Sequence, residues 1–153
     1  LEVVTVSGAQ QALQIIEKHA TASLDHVVLA GHGSPHSLGW GDGHPSTAGL
    51  LTNSPMTDAV MQALKRTVTS DGSVVVDACE TGYGSEHRTP EELNEFGRGI
   101  GRPQNLFESV KMEMGARKVY APTRSYTIGD YYSAANFQEG ICTPDARAHS
   151  WSD

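Results

Sequence analysis

Three apolar runs limit what this chain can become. His26 to Ala30, Ser73 to Ala78 and Lys118 to Ala121 are short and lack the strict apolar–polar alternation of a half-exposed strand. Such runs suit strands buried on both faces. Val3 to Val6 reads as a further, opening strand because it is short and β-branched. Between the runs, apolar residues recur at helical spacing. Ala9, Ala12, Leu13, Ile16 and Ala20 form one stripe, Val60, Met61, Leu64 and Val68 a second, and Leu106, Phe107, Val110 and Met114 a third. Punctuation agrees with this. Ser7 to Gln10 has capping-box spacing, Ser54-Pro55 reads as an N-cap with proline in the first turn, and Gly115 stops the third stripe. Thr89-Pro90-Glu91-Glu92 has the composition to cap a short helix. Strand and helix therefore alternate. The expected fold is α/β, with a mostly parallel sheet and helices on both faces.

The chain has 153 residues, enough for a single domain over 1–153 with a real core. Hydrophobic residues at 38% against 19% charged argue against wholesale disorder. A net charge of −7 gives no electrostatic footprint for nucleic acid or anionic lipid. No apolar run approaches the ~20 residues that a membrane helix needs. Two cysteines, Cys79 and Cys142, make neither a disulfide framework nor a cysteine-type zinc site. Cys142 reads as an incidental or structural thiol. No signal-peptide pattern opens the chain, and Leu1 stands where an initiator Met would. The expectation is a piece of a longer protein, with the other domains of that parent among its partners and its compartment left open.

In a parallel sheet, chemistry belongs to the loops beyond the strand C-terminal ends. Two polar loops follow buried strands here, and they carry His32 and Cys79. A cysteine ending a strand is often a small core residue, and a histidine between glycines is often a turn residue. Together they suit another job. A thiol needs a nearby base or cation to become thiolate near neutral pH, and imidazole suits both that role and later protonation of a leaving amine. If the two strands are neighbours, both side chains emerge at one sheet edge. Gly31 and Gly33 would let a substrate backbone approach closely, and the N–H groups of Gly33 and Cys79 would form an oxyanion hole.

Gly31-His32-Gly33-Ser34 after one apolar strand, then Asp77-Ala78-Cys79-Glu80-Thr81-Gly82 after the next, resembles the caspase-like (clan CD) cysteine peptidases. The Ala-Cys-Glu-Thr-Gly string is similar to the CHAT branch, which typically has serine where Asp77 stands, and to the cysteine loop of legumain. An Asp two residues before the cysteine resembles metacaspases and clostripain-like peptidases, and Gly115 to Val119 is again CHAT-like. The match covers roughly 1–125. It implies a three-layer α/β/α sandwich, with His32 as general base and acid and Cys79 as nucleophile. It also implies a thioester intermediate, hydrolysis of a peptide bond in a protein or peptide substrate, and no metal in the chemistry. Ala30 departs from the serine that metacaspases usually carry before Gly-His, so calcium activation is not carried over.

Asp77 has two readings. By alternation its side chain lies on the same face as Cys79. In related peptidases the matching acid pairs with substrate Arg or Lys in the specificity pocket. The structural reading is an internal partner for a loop amide or for Arg124. Asp130 is the candidate for a second pocket carboxylate. Residues 83–104 contain Arg88, Arg98 and Arg102 in a Gly-rich, exposed-type stretch with two readings: a place where an Arg-cutting enzyme would process itself, or an ordinary surface insertion.

Rival readings remain in view. His32, His36 and His44, with Asp42 nearby, number enough ligands for zinc, but a Gly/Pro-rich loop does not fix their geometry. Ser34 lacks the Gly-x-Ser-x-Gly elbow of a serine hydrolase. Tyr126, Tyr131, Tyr132 and Phe137 either line a groove or pack a terminal segment. A catalytically silent caspase-like scaffold within a larger assembly is the alternative from a different class.

Overall fold

The structure, a computed structural model, describes residues 2–41, 49–52 and 54–123. The expected opening strand is absent: Val3 to Val6 has no regular structure, and Val3 is 85% exposed. A β-branched run becomes a strand only when a partner strand accepts it; among the described residues Val6 packs against the core, but no strand pairs with the run.

Helix α1 (Ala9–Glu17) buries Ala9, Ala12 and Ile16. Its N-cap is Gly8, and the contact expected from Ser7 goes to Gln11 instead of Gln10: Gln11 Oε1 accepts from the Ser7 N–H at 2.7 Å and the Ser7 hydroxyl at 2.9 Å. Strand β1 (Leu24–Ala30) follows. Helix α2 (Pro55–Thr67) starts as expected, with Ser54 as N-cap and Pro55 in the first turn, and it buries Val60, Met61 and Leu64. Val68, expected in that helix face, opens strand β5 (Val68–Asp77) instead.

The segment read as a Gly-rich loop contains three short antiparallel strands, β2 (His32–Ser34), β3 (Ser37–Gly39) and β4 (Leu50–Leu51). After β5, a 3-10 turn at Ser85–His87 leads to α3 (Pro90–Gly97), and then come α4 (Leu106–Met114) and β6 (Lys118–Tyr120). Thr89 closes the expected capping box on α3: Glu92 N–H donates to the Thr89 hydroxyl at 3.2 Å, and Thr89 N–H donates to Glu92 Oε2 at 2.7 Å.

The main sheet is parallel, in the order β1-β5-β6. The described part of the protein is thus α/β with a parallel main sheet. Both crossovers step the same way across the sheet, and right-handed crossovers that step the same way put their helices on one face. The packing agrees. Among the described residues, α1 packs on α2, α2 on α4, and α4 on both α3 and β6. One core joins these helices to Leu29, Val74, Val76 and Val119. The opposite face of β1 carries Val28, 50% exposed. The described helices therefore form one layer, where the sequence predicts two.

Candidate functional site

Strands β1 and β5 end level. The last pair in register is Ala30 with Asp77, so His32 and Cys79 each stand two residues beyond the same rung. The chain then ties the two ends together. Gly31 N–H donates to the Asp77 carbonyl at 3.2 Å, and the Trp40 indole N–H donates to the Ala30 carbonyl at 2.8 Å. Gly33 packs directly on the cysteine turn: a Cβ there would lie 2.5 Å from the Cys79 carbonyl oxygen and 2.7 Å from the Ala78 carbonyl carbon. A Cβ on Gly31 would collide with the Gly39 carbonyl oxygen. Both glycines are thus required by the protein's own close packing, a cause that the expectation of substrate approach does not supply.

His32 is exposed, while Asp77 and Cys79 are half-buried. Cys79 forms no disulfide among the described residues. The residue after it, Glu80, has φ 60, a left-handed conformation rarely adopted by a non-glycine side chain. Such a conformation persists where the surroundings over-determine it, and here they do. The Thr81 hydroxyl donates to the Ala78 carbonyl at 2.9 Å, Tyr83 N–H to the Glu80 carbonyl at 2.9 Å, and Gly82 N–H to the Pro122 carbonyl at 2.9 Å. A sharp, braced turn therefore follows Cys79.

The Asp77 side chain lies on the sheet face opposite the helical core, since Val76 and Ala78 are the buried neighbours that face that core. Asp130 and Arg124, the candidate second acid and the candidate internal partner of Asp77, lie outside the described residues. So do His44, Asp42, Cys142 and the aromatic residues Tyr126, Tyr131, Tyr132 and Phe137. His36 is exposed at the β2–β3 turn. Among the described residues no three His, Cys, Asp or Glu side chains converge as a metal site would need.

Arg88 departs from its expected place in an exposed, cleavable stretch. Its Nε donates to Glu108 Oε1 at 3.0 Å and its Nη2 to Oε2 at 3.3 Å, and its guanidinium carbon lies 5.3 Å from the Phe96 ring centre. Hydrogen bonding to Glu108 raises its affinity for the proton above that of an ordinary arginine. Arg98 and Arg102 are exposed.

Sequence reasoning missed Glu108 and Asn105, although Asn105 to Glu108 has N-cap spacing. The Asn105 side chain accepts from the Glu108 N–H at 2.8 Å and caps α4. It missed Trp40 as well, and no spacing signal marks that residue. No described helix is long and apolar enough to cross a membrane. No protein-family model, curated protein or solved structure matches the chain.

Proposed function

We propose that the protein is a cysteine endopeptidase of caspase-like type, with His32 and Cys79 as its working pair and a preference for cutting after Arg or Lys. One observation carries the reading. Two hydrogen-bonded parallel strands end level, each projects its chemical residue two positions past the last rung, and Gly33 seats one turn on the other. The braced left-handed turn at Glu80 adds to it, because stored backbone strain concentrates at functional positions. The full three-layer sandwich belongs to the same proposal.

The chemistry follows from the residue types. His32 takes the Cys79 proton. The sulfur forms a bond to the scissile carbonyl carbon, and the carbonyl π electrons move onto oxygen, where the Gly33 and Cys79 N–H groups stabilise them. The electrons return, the C–N bond breaks, and His32 gives its proton to the departing amine. Water then attacks the thioester with His32 as base. The C–S bond breaks, and the acid product leaves. Asp77 serves as the anionic floor for a substrate guanidinium or ammonium. Self-processing, if the same chain is a substrate, falls at Arg98 or Arg102, because Arg88 is held by Glu108. Arg102 precedes Pro103, which leaves Arg98–Gly99 as the favoured bond.

Fluorogenic peptides ending in Arg, Lys or a neutral residue test this. Turnover is expected for the first two and should fall to background in Cys79→Ala. His32→Ala should lose about 10²–10⁴-fold in kcat, the usual worth of a positioned acid–base group. Asp77→Asn should lose roughly a hundredfold in kcat/KM for Arg, about 2.7 kcal/mol, as for one charge-assisted hydrogen bond. No turnover by folded protein with an intact thiol selects the silent scaffold, and an unchanged Arg preference in Asp77→Asn removes the pocket assignment.

A further inference from the structure

Glu108 is only 1% exposed, and a lone buried carboxylate is costly. Four donors offset that cost. Oε1 accepts from the Ser85 hydroxyl at 2.9 Å and from Arg88 Nε at 3.0 Å, and Oε2 accepts from Arg88 Nη2 at 3.3 Å and from Gln104 N–H at 2.8 Å. Asn105 adds two more bonds to the same segment: its Nδ2 donates to the Tyr83 carbonyl at 3.0 Å and to the Ser85 hydroxyl at 2.7 Å. Capping a helix needs one side-chain acceptor, and Asn105 already provides it. The Gln104 bond stays at the helix start, but the bonds to Tyr83, Ser85 and Arg88 do something other than start α4: they tether residues 83–88, the chain that leaves the Cys79 turn.

The same first turn of α4 reaches both halves of the site. Leu106 N–H donates to the Pro35 carbonyl at 2.8 Å, in the hairpin that carries His32. Phe107 N–H donates to the Thr81 carbonyl at 3.1 Å, two residues past Cys79. The Leu106 and Phe107 side chains are fully buried. That burial keeps the turn seated while its N–H groups hold the loops.

We propose that Arg88 and Glu108 are positioning residues: by locking the first turn of α4 to the segment after Cys79, they set where Cys79 stands relative to His32. This deepens the peptidase reading and rests on Cys79 as its nucleophile.

The test measures three quantities in Arg88→Ala: kcat and KM on an Arg-ended peptide, the rate of Cys79 alkylation by iodoacetamide read by peptide mass, and the melting temperature. Arg66→Ala is the control. Its guanidinium caps the far end of α1, at the Glu17 and His19 carbonyls, and should cost stability alone. In Arg88→Ala, kcat should fall about tenfold with KM within about twofold, and alkylation should slow by about threefold or more, as expected when a reacting group is misplaced and binding is not. Arg66→Ala should leave both rates unchanged. Wild-type kcat and alkylation in folded Arg88→Ala overturn the proposal. Should that variant not fold, Ser85→Ala decides, since it deletes one donor to Glu108 without stranding a charge, and wild-type rates there overturn the proposal equally. If the wild-type protein turns over no peptide, the peptidase reading fails on its own. Alkylation then still reports whether the lock positions Cys79: slowed alkylation supports it, and an unchanged rate overturns it.

Discussion

Gly33 is where the two turns of the site touch, and its missing Cβ is what lets them. A methyl at that position would meet backbone atoms, the Cys79 carbonyl oxygen and the Ala78 carbonyl carbon, neither of which can swing aside as a flexible side chain does. Gly33→Ala should therefore push the His32 hairpin away from the Cys79 turn. The expected cost is about 1–3 kcal/mol in urea unfolding, the range for overpacking. An unfolding midpoint equal to that of the wild type would mean the contact is not made. The residue types around this contact were readable in the sequence: glycine on either side of His32, and a cysteine ending an apolar run. Their cause was not, because a glycine that admits substrate and one that admits a neighbouring loop look alike in one dimension. Arg88 shows the same limit. An arginine in a polar stretch reads as solvated until Glu108, twenty positions on, is folded against it.

Elements were legible where a period and a cap coincide. The stripe of α2 with Ser54-Pro55, and the Thr89 box before α3, both stand where spacing puts them. Elements defined by long-range pairing were not. Strands β2, β3 and β4 are two or three residues long, too short for any period, and are held by partners across the hairpin. Val3 to Val6 has the right residues and no accepting edge among those described. An eight-residue helix such as α3 is too short to be stable alone, so its cap carries weight. That cap also fixes the chain direction immediately after Arg88. Thr89→Ala should cost about 1 kcal/mol in urea unfolding, and Thr89→Ser, which keeps the hydroxyl, only a few tenths. Equal losses in both variants would show that the threonine methyl, and not the capping bond, stabilises α3.

For the whole molecule, the parallel order β1-β5-β6 puts two polar turns at one edge, and the chain around them carries a net charge of −7. On the proposed reading, a cationic substrate approaching that edge would be attracted by two fields of different range. Asp77, half-buried beside the cysteine, would act at contact distance with weak screening. The remaining net charge acts over many ångströms, where about 0.1 M salt already limits the reach to about 10 Å. The two are separable. For an Arg-ended peptide, KM should rise several-fold between about 0.02 and 0.5 M salt with kcat constant, because screening weakens attraction and leaves the bond-breaking step alone. A peptide with neutral citrulline in place of the arginine should show a flat KM. Asp77→Asn should raise KM at every salt concentration and keep the slope of the wild type. If the slope vanishes with Asp77, one carboxylate supplies all the attraction and the distributed charge contributes nothing. If the citrulline peptide shows the same slope, salt acts on the protein and not on the encounter, and a field-guided approach is ruled out.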